Sequence, residues 1–322
     1  MKNIYVDQIV KQEQNRIDGF INVAQKADYN WFQIPVILIE GKEPGPVLLL
    51  EACTHGDEQE GTEALIRIAD KYKDGNFKGT IVGVPCMNAE AFSQFSRTSV
   101  TDGANLNRVY PGNTTSYITN RIAAVYEERI AQFVQYAITY HGGGQVLHLE
   151  PIVSFDSEES RKMAEAYNFK YVWKPLVGDE APFTGYAACM FKKYGIQSIC
   201  AEAGSQCSRL YDRETNIVRH FQGTEGVMAC LGMIPDPGYE PVKDKQVVSL
   251  YYLHSKNGGI HKIMKKQNEV VKKGEVLNQI TDLFGNVVEE IVAPFDGVVN
   301  GFWSVSVIRP GDWSSLYMKI VE

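Results

Sequence analysis

With 322 residues, the chain has room for about two domains. Its 44% hydrophobic and 22% charged residues are the balance of a folded globular protein and argue against a disordered one. Thirty-two Lys and Arg against 39 Asp and Glu leave a net charge of −7, which makes a phosphate backbone an unfavourable partner and argues against nucleic acid.

The N-terminal stretch MKNIYVDQIVKQEQNR lacks the apolar core of a signal peptide, so a cytoplasmic location is expected. Short apolar runs then alternate with helical patterns as far as about residue 230. Pro46–Cys53, Thr80–Met87, Tyr136–Tyr140, Pro151–Phe155, Tyr171–Trp173 and Gln197–Ala201 read as strands, and their unbroken apolar character predicts burial on both faces. Gln59–Lys73 reads as a helix with Ala64, Leu65, Ile68, Ala69 and Tyr72 on one stripe. Thr115–Gln135 reads as a longer helix, and Ser157–Tyr167 as a third with Asp156 as its N-cap. Strand–helix alternation of this kind predicts an α/β domain around a central, largely parallel sheet. The longest stretch without Asp, Glu, Lys or Arg, Ile130 to Leu149, carries Gln132, Gln135, Thr139, His141, three consecutive glycines and Gln145, too polar for a membrane span.

The proline- and glycine-rich segment Leu231–Pro241 reads as a linker, which divides the chain into residues 1–240 and 241–322. The first 241 residues carry −8 and the tail +1. Beyond the linker, short β-type runs are separated by glycine turns in a weak internal repeat. Gly259-Ile260 is followed by Gly274, and Gly297-Val298 by Gly311, which suggests a small pseudo-symmetric β-sandwich. Cys53, Cys86, Cys189, Cys200, Cys207 and Cys230 form no C-x-x-C pair, so a cysteine metal site is not expected, and buried free thiols are.

The chemistry concentrates at strand ends, where ligands gather in open α/β sheets. His55-Gly56-Asp57-Glu58 lies between a predicted strand and a predicted helix. An imidazole and a carboxylate three residues apart in such a turn can face one ion. The plainer alternative is a turn whose acids only complement the helix dipole. His141 ends another predicted strand and precedes Gly142-Gly143-Gly144. Two His and one carboxylate with an open position make up a catalytic zinc site. His148, His220, His254 and His261 lack such a context and read as structural. Glu202 ends a third apolar run, where a carboxylate must be paired or functional; it is the candidate general base. Arg97 and the stretch Asp102-Gly103-Ala104-Asn105-Leu106-Asn107-Arg108 form a polar loop able to bind carboxylates or steady an oxyanion.

HGDE, an Arg followed by DGANLNRVYPG, a strand-end HG and a strand-end EAG occur in an order that resembles the succinylglutamate desuccinylase/aspartoacylase branch of the zinc carboxypeptidase superfamily, over nearly the whole chain. The resemblance implies an α/β fold with a mixed sheet, helices on both faces, and a smaller C-terminal all-β domain of the biotinyl/lipoyl barrel-sandwich type. The turn Ala293-Pro294-Phe295-Asp296-Gly297 replaces any carrier lysine. It further implies one Zn2+ per chain held by His55, Glu58 and His141, Glu202 as general base and then acid, Arg97 at the oxyanion, and Asn107 and Arg108 on a substrate carboxylate. Thr139 stands where many relatives carry Asp, and one of the seventeen tyrosines should meet the substrate.

The function so implied is zinc-dependent deacylation of an N-acyl amino acid or related small amide. A metallocarboxypeptidase acting on peptides or peptidoglycan fragments would use the same residues. A binding or assembly protein that kept the fold without the chemistry is a third reading. The expected partner is the small-molecule substrate, with neither nucleic acid nor membrane, and a homo-oligomer is left open.

Overall fold

The structure is a computed structural model that describes residues 4–174, 187–205 and 211–321. In chain order the first part contains β1 (Gln8–Gln12), β2 (Arg16–Gln25), β3 (Trp31–Glu40), β4 (Glu43–Glu51), α1 (Glu60–Lys71), β5 (Lys78–Val84), α2 (Ala89–Ser93), α3 (Ile118–Arg129), β6 (Tyr136–His141), β7 (Leu147–Leu149), β8 (Ile152–Phe155), α4 (Glu158–Ala166), β9 (Tyr171–Trp173), α5 (Ala187–Lys193), β10 (Gln197–Glu202) and α6 (Arg213–Cys230). The second part is all β: β11 (Gln246–His254), β12 (Gly259–Ile263), β13 (Val270–Val271), β14 (Val276–Thr281), β15 (Val287–Val292), β16 (Gly297–Trp303), β17 (Val307–Ile308) and β18 (Trp313–Ile320).

The apolar runs form strands because alternate residues are buried on opposite faces. Leu48 and Leu50 of β4 join the core under α1, α4 and α6, whereas Leu49 joins the core under α3 and α5. Helices therefore cover both faces. The sheet is mixed. β5, β4, β6 and β10 run parallel, while β1, β2 and β3 add antiparallel pairs at one side. These three strands precede the first expected one. β1 is exposed and β2 only partly buried, so these two lack the continuous apolar signal of the inner strands, whereas β3 carries an apolar, mostly buried run over residues 34–39. On the other side of β10 the sheet continues through β8, β9, β11, β18 and β16 to β13, without a break at the linker. β15, β14, β12 and β17 form a second sheet. Ile280, Ile291 and Ile308 pack from it against Val248, Leu250 and Met318 of the first, which makes the tail a β-sandwich. Phe295, in the turn without a lysine, folds back onto Tyr251 and Tyr317.

Three details differ from expectation. The N-cap of α4 is Ser157, whose hydroxyl accepts from Ser160 N–H in a capping box; Asp156 instead accepts from the Ser160 hydroxyl. The long helix expected over Thr115–Gln135 stops at Arg129, where Ile130 leaves helical geometry, and resumes as a 3-10 turn over Ala131–Phe133. The described cysteines are free, but only Cys53 and Cys86 are buried; Cys189 and Cys230 are exposed, and Cys207 lies outside the described residues. No helix among the described residues is long and apolar enough to cross a membrane.

Candidate active site

The turn after β4 is forced into a tight path. Cys53 has a left-handed backbone (φ 51°), and its thiol donates to the Glu58 carbonyl. Gly56 runs against α2, where a Cβ would sit 2.0 Å from the Ala91 carbonyl carbon, so no side chain fits. Its N–H donates to Ser96 O at 2.9 Å, tying the turn to the Arg97 loop. The result places His55 and Glu58 beside His141, the last residue of β6.

Glu58 is the centre of the cluster. Its Oε1 lies 2.8 Å from His55 Nδ1 and its Oε2 lies 2.9 Å from His141 Nδ1. The two imidazoles are 5.1 Å apart at 62°. Glu58 Oε2 also accepts from Gly142 N–H at 3.2 Å. One ligand atom from each of the three residues lies within 4.8 Å of the others, and all three are buried. Burial opposes ionisation of Glu58, but the charge and hydrogen bonds of His55 and His141 outweigh it and hold its carboxyl well below the usual range. Burial, reinforced by the Arg97 charge, pushes His55 down to about 4. His141 is pulled upward: burial works against its charge, but the Glu58 carboxylate prevails.

The donor chemistry fits a divalent cation. Asn105 Oδ1 accepts from Asn107 N–H at 2.9 Å, which fixes the oxygen of the carboxamide. That oxygen faces His55 Nε2 at 3.1 Å, so Nε2 can donate to it and leave Nδ1, 2.8 Å from Glu58 Oε1, as the nitrogen that would bind an ion. A bare imidazole nitrogen, a second imidazole and an ionised carboxylate form a normal divalent-metal donor set. In this structure Arg97 supplies the positive charge. Its Nη1 donates to Glu58 Oε1 at 2.9 Å and approaches His55 Nδ1 at 3.3 Å.

Glu202 ends β10 in register with His141, on the same face of the sheet. Burial raises its carboxyl to about 7; the nearby Glu58 charge adds to the rise, and His141 and Arg97 oppose it. Asn107 is buried, with its Oδ1 accepting from Ala187 N–H at the start of α5 at 3.1 Å. Arg108 donates from Nη1 to Asn107 O. Thr139, next to Glu51 of β4 in the register, bonds weakly to Ile199 O at 3.4 Å.

These residues open on one cavity of about 280 Å³. It contains His55, Glu58, His141, Glu202, Arg97, Asn107 and Arg108 together in its lining. Its floor is the sheet itself, read every second residue: Thr139 and His141 of β6, Cys200 and Glu202 of β10, Ile152 and Ser154 of β8, Trp173 of β9, Leu250 and Tyr252 of β11. Leu316 and Trp313 of β18 complete it. The tail therefore supplies a wall of the site, which no motif in its sequence signals. Asn105, by contrast, sits inside the DGANLNR stretch, where an Asn side chain that accepts from the backbone N–H two residues on is a ready turn former. Among the described residues Tyr252 is the one tyrosine lining the cavity.

A mixed α/β sheet with a two-His, one-carboxylate cluster at strand ends and a β-sandwich in the same sheet defines the class of protein. The family model of the succinylglutamate desuccinylase/aspartoacylase catalytic domain matches residues 44–231, and the chain belongs to that family. It is 26% identical to the N-alpha-acetyl-L-2,4-diaminobutyric acid deacetylase of Halomonas elongata, over 94% of this chain and 92% of that protein. Two solved structures share the fold. The product-bound ectoine utilization protein EutE (DoeB) of Ruegeria pomeroyi has a TM-score of 0.85 at 23% identity over 99% of both chains. A succinylglutamate desuccinylase/aspartoacylase of Rhodobacter sphaeroides has a TM-score of 0.86 at 18% identity over 99% of both chains.

Proposed function

We propose that the chain is a zinc-dependent hydrolase that removes the acyl group from an N-acyl amino acid or a related small amide. The observation that carries this reading is geometric: Glu202 ends its strand in register with His141, at the rim of the donor cluster and inside the same cavity. A carboxylate so placed can take a proton from an attacking water and return it to a leaving group. The name of the Halomonas relative, a deacetylase of an N-acetyl amino acid, supports the same reaction class.

His55, Glu58 and His141 hold the ion. Zinc, when bound, polarises the scissile carbonyl and makes an attacking water more acidic. Glu202 accepts the proton of that water and delivers it to the departing amine nitrogen. Arg97, at the edge of the cluster, stabilises the oxygen on which negative charge develops. Asn107 and Arg108 bind the carboxylate of the amino acid, and Tyr252, in the cavity lining beside Trp313, is the tyrosine that meets the substrate. Residues 1–240 form the catalytic unit, and residues 241–322 the β-rich unit that closes the cavity. A carboxypeptidase would use the same donors. A cavity of about 280 Å³ walled by the tail favours a small amide, since small-molecule sites span about 300–1,000 Å³.

The test is amine release from N-acetyl, N-succinyl and N-aspartyl amino acids and from short peptides, by metal-stripped protein and by protein reconstituted with zinc or other divalent ions. Metal-dependent cleavage of at least one N-acyl amino acid is expected. Cleavage of peptides alone, or activity indifferent to metal, overturns the reading.

A further inference from the structure

Arg97 is held from two sides. On one side Glu58 and His55 take its Nη1. On the other, its guanidinium carbon lies 5.6 Å from the ring centroid of Trp313, within the range of a cation–π contact. Trp313 comes from β18, more than two hundred residues away in the chain, and packs at 4.8 Å against Tyr252 of β11.

The backbone turns Trp313 to this position. Along β18 and β11 Leu316 pairs with Tyr252 and Ser315 with Leu253, but His254 pairs with Trp313. Ser314 is thus an extra residue, a β-bulge, whose hydroxyl donates to Leu253 O at 2.8 Å. In a regular strand Trp313, three residues from Leu316, would leave the opposite face. The bulge returns it to the cavity face, beside Leu316 and Tyr252.

We propose that Trp313 is a positioning residue for Arg97. Its indole face seats the guanidinium over the cluster, and the Ser314 bulge exists to aim that ring. This rests on the deacylase reading for its kinetic consequence but not for its geometry. The tail sheet is on this account a working part of the active site, since it holds a catalytic side chain in place.

The experiment uses full-length W313L and W313F, each also in an R97A background, with circular dichroism as the folding control. W313L should lower kcat/KM about tenfold, mostly in kcat, a loss equal to about 1.4 kcal/mol. W313F, which keeps an aromatic face, should stay within about threefold of wild type. In the R97A background W313L should cost nothing further, since the seat then holds no cation. Crystal structures of the two variants should show Arg97 in place in W313F and displaced in W313L. An equal loss with and without Arg97, or Arg97 unmoved in W313L, overturns the assignment. If the wild-type chain cleaves no N-acyl amino acid, the deacylase reading falls, and the position of Arg97 in the two crystal structures still decides the role of Trp313.

Discussion

Glu202 and His141 end two neighbouring parallel strands at the same height, and their side chains leave the same face of the sheet. On the deacylase reading, that register brings a proton acceptor to the edge of the donor cluster. Replacing Glu202 by Gln keeps the shape and removes the basicity. Turnover should fall by about 10²–10⁴, the usual contribution of a general base, while the metal content by elemental analysis stays at the wild-type level. The pH profile should change too. Burial lifts Glu202 to about 7, a bound cation lowers it again, and the base works only when deprotonated. Wild-type kcat/KM should therefore rise with pH through a limb at or below 7. E202Q should lose that limb.

Asn105 Oδ1, 3.1 Å from His55 Nε2, favours the tautomer that would leave Nδ1 free for an ion. Asn105→Ala leaves the imidazole free to exchange its proton between nitrogens. Affinity for zinc, measured by competition with a chromophoric chelator, should drop about 10- to 100-fold. Asn105→Asp, which still accepts at the same place, should lose much less. An alanine variant with wild-type affinity would remove Asn105 from the site.

A cation held by His55, Glu58 and His141 would bind the folded chain in preference to the unfolded one, because the three donors are separated by up to 86 positions in the sequence. Added zinc at 100 times its dissociation constant should raise stability by about 2.7 kcal/mol, seen as an increase in Tm. His141→Ala should abolish the increase. A chelator should return wild-type protein to the unshifted value.

Much of this architecture was readable from residue order alone, and for a physical reason. The inner strands β4, β6 and β10 bury both faces over residues 48–50, 137–140 and 199–201, which are almost wholly apolar, and the polar residue that ends each stretch is conspicuous. His141 and Glu202 stand out in that way. Glu58 and His55 were legible because they share one turn. Outer strands carry no such mark: β2 buries one face in part, and its sequence alternates too loosely to separate it from a loop. Lateral order was hidden as well. Nothing local in Gln246–His254 states that it pairs with Tyr171–Trp173 and carries the catalytic sheet into the tail. The face of Trp313 was hidden most deeply, because a single inserted residue, Ser314, reverses which side of β18 it occupies.

His220 illustrates a different kind of burial, and it predicts acid sensitivity. It lies in α6 and is fully buried. Its Nδ1 accepts from Tyr167 OH at 2.7 Å, and its Nε2 donates to the carbonyl of Ala203, the residue after Glu202. Both nitrogens are used by a neutral ring, so a second proton finds no place, and burial pushes the pKa from 6.5 down to about 4. The sign follows from linkage. Above 6.5 the ring is neutral folded and unfolded, and its contribution is complete. Below 6.5 the unfolded chain takes up a proton that the folded chain refuses until about 4, so stability falls across that interval. Between pH 7.5 and pH 5 this one group should cost about 2 kcal/mol of unfolding free energy. His220→Gln can accept from Tyr167 and donate to Ala203 without titrating. Denaturant unfolding at the two pH values should show the variant losing about 2 kcal/mol less than wild type on acidification. Equal losses in the two proteins would mean that His220 carries its proton inside the fold.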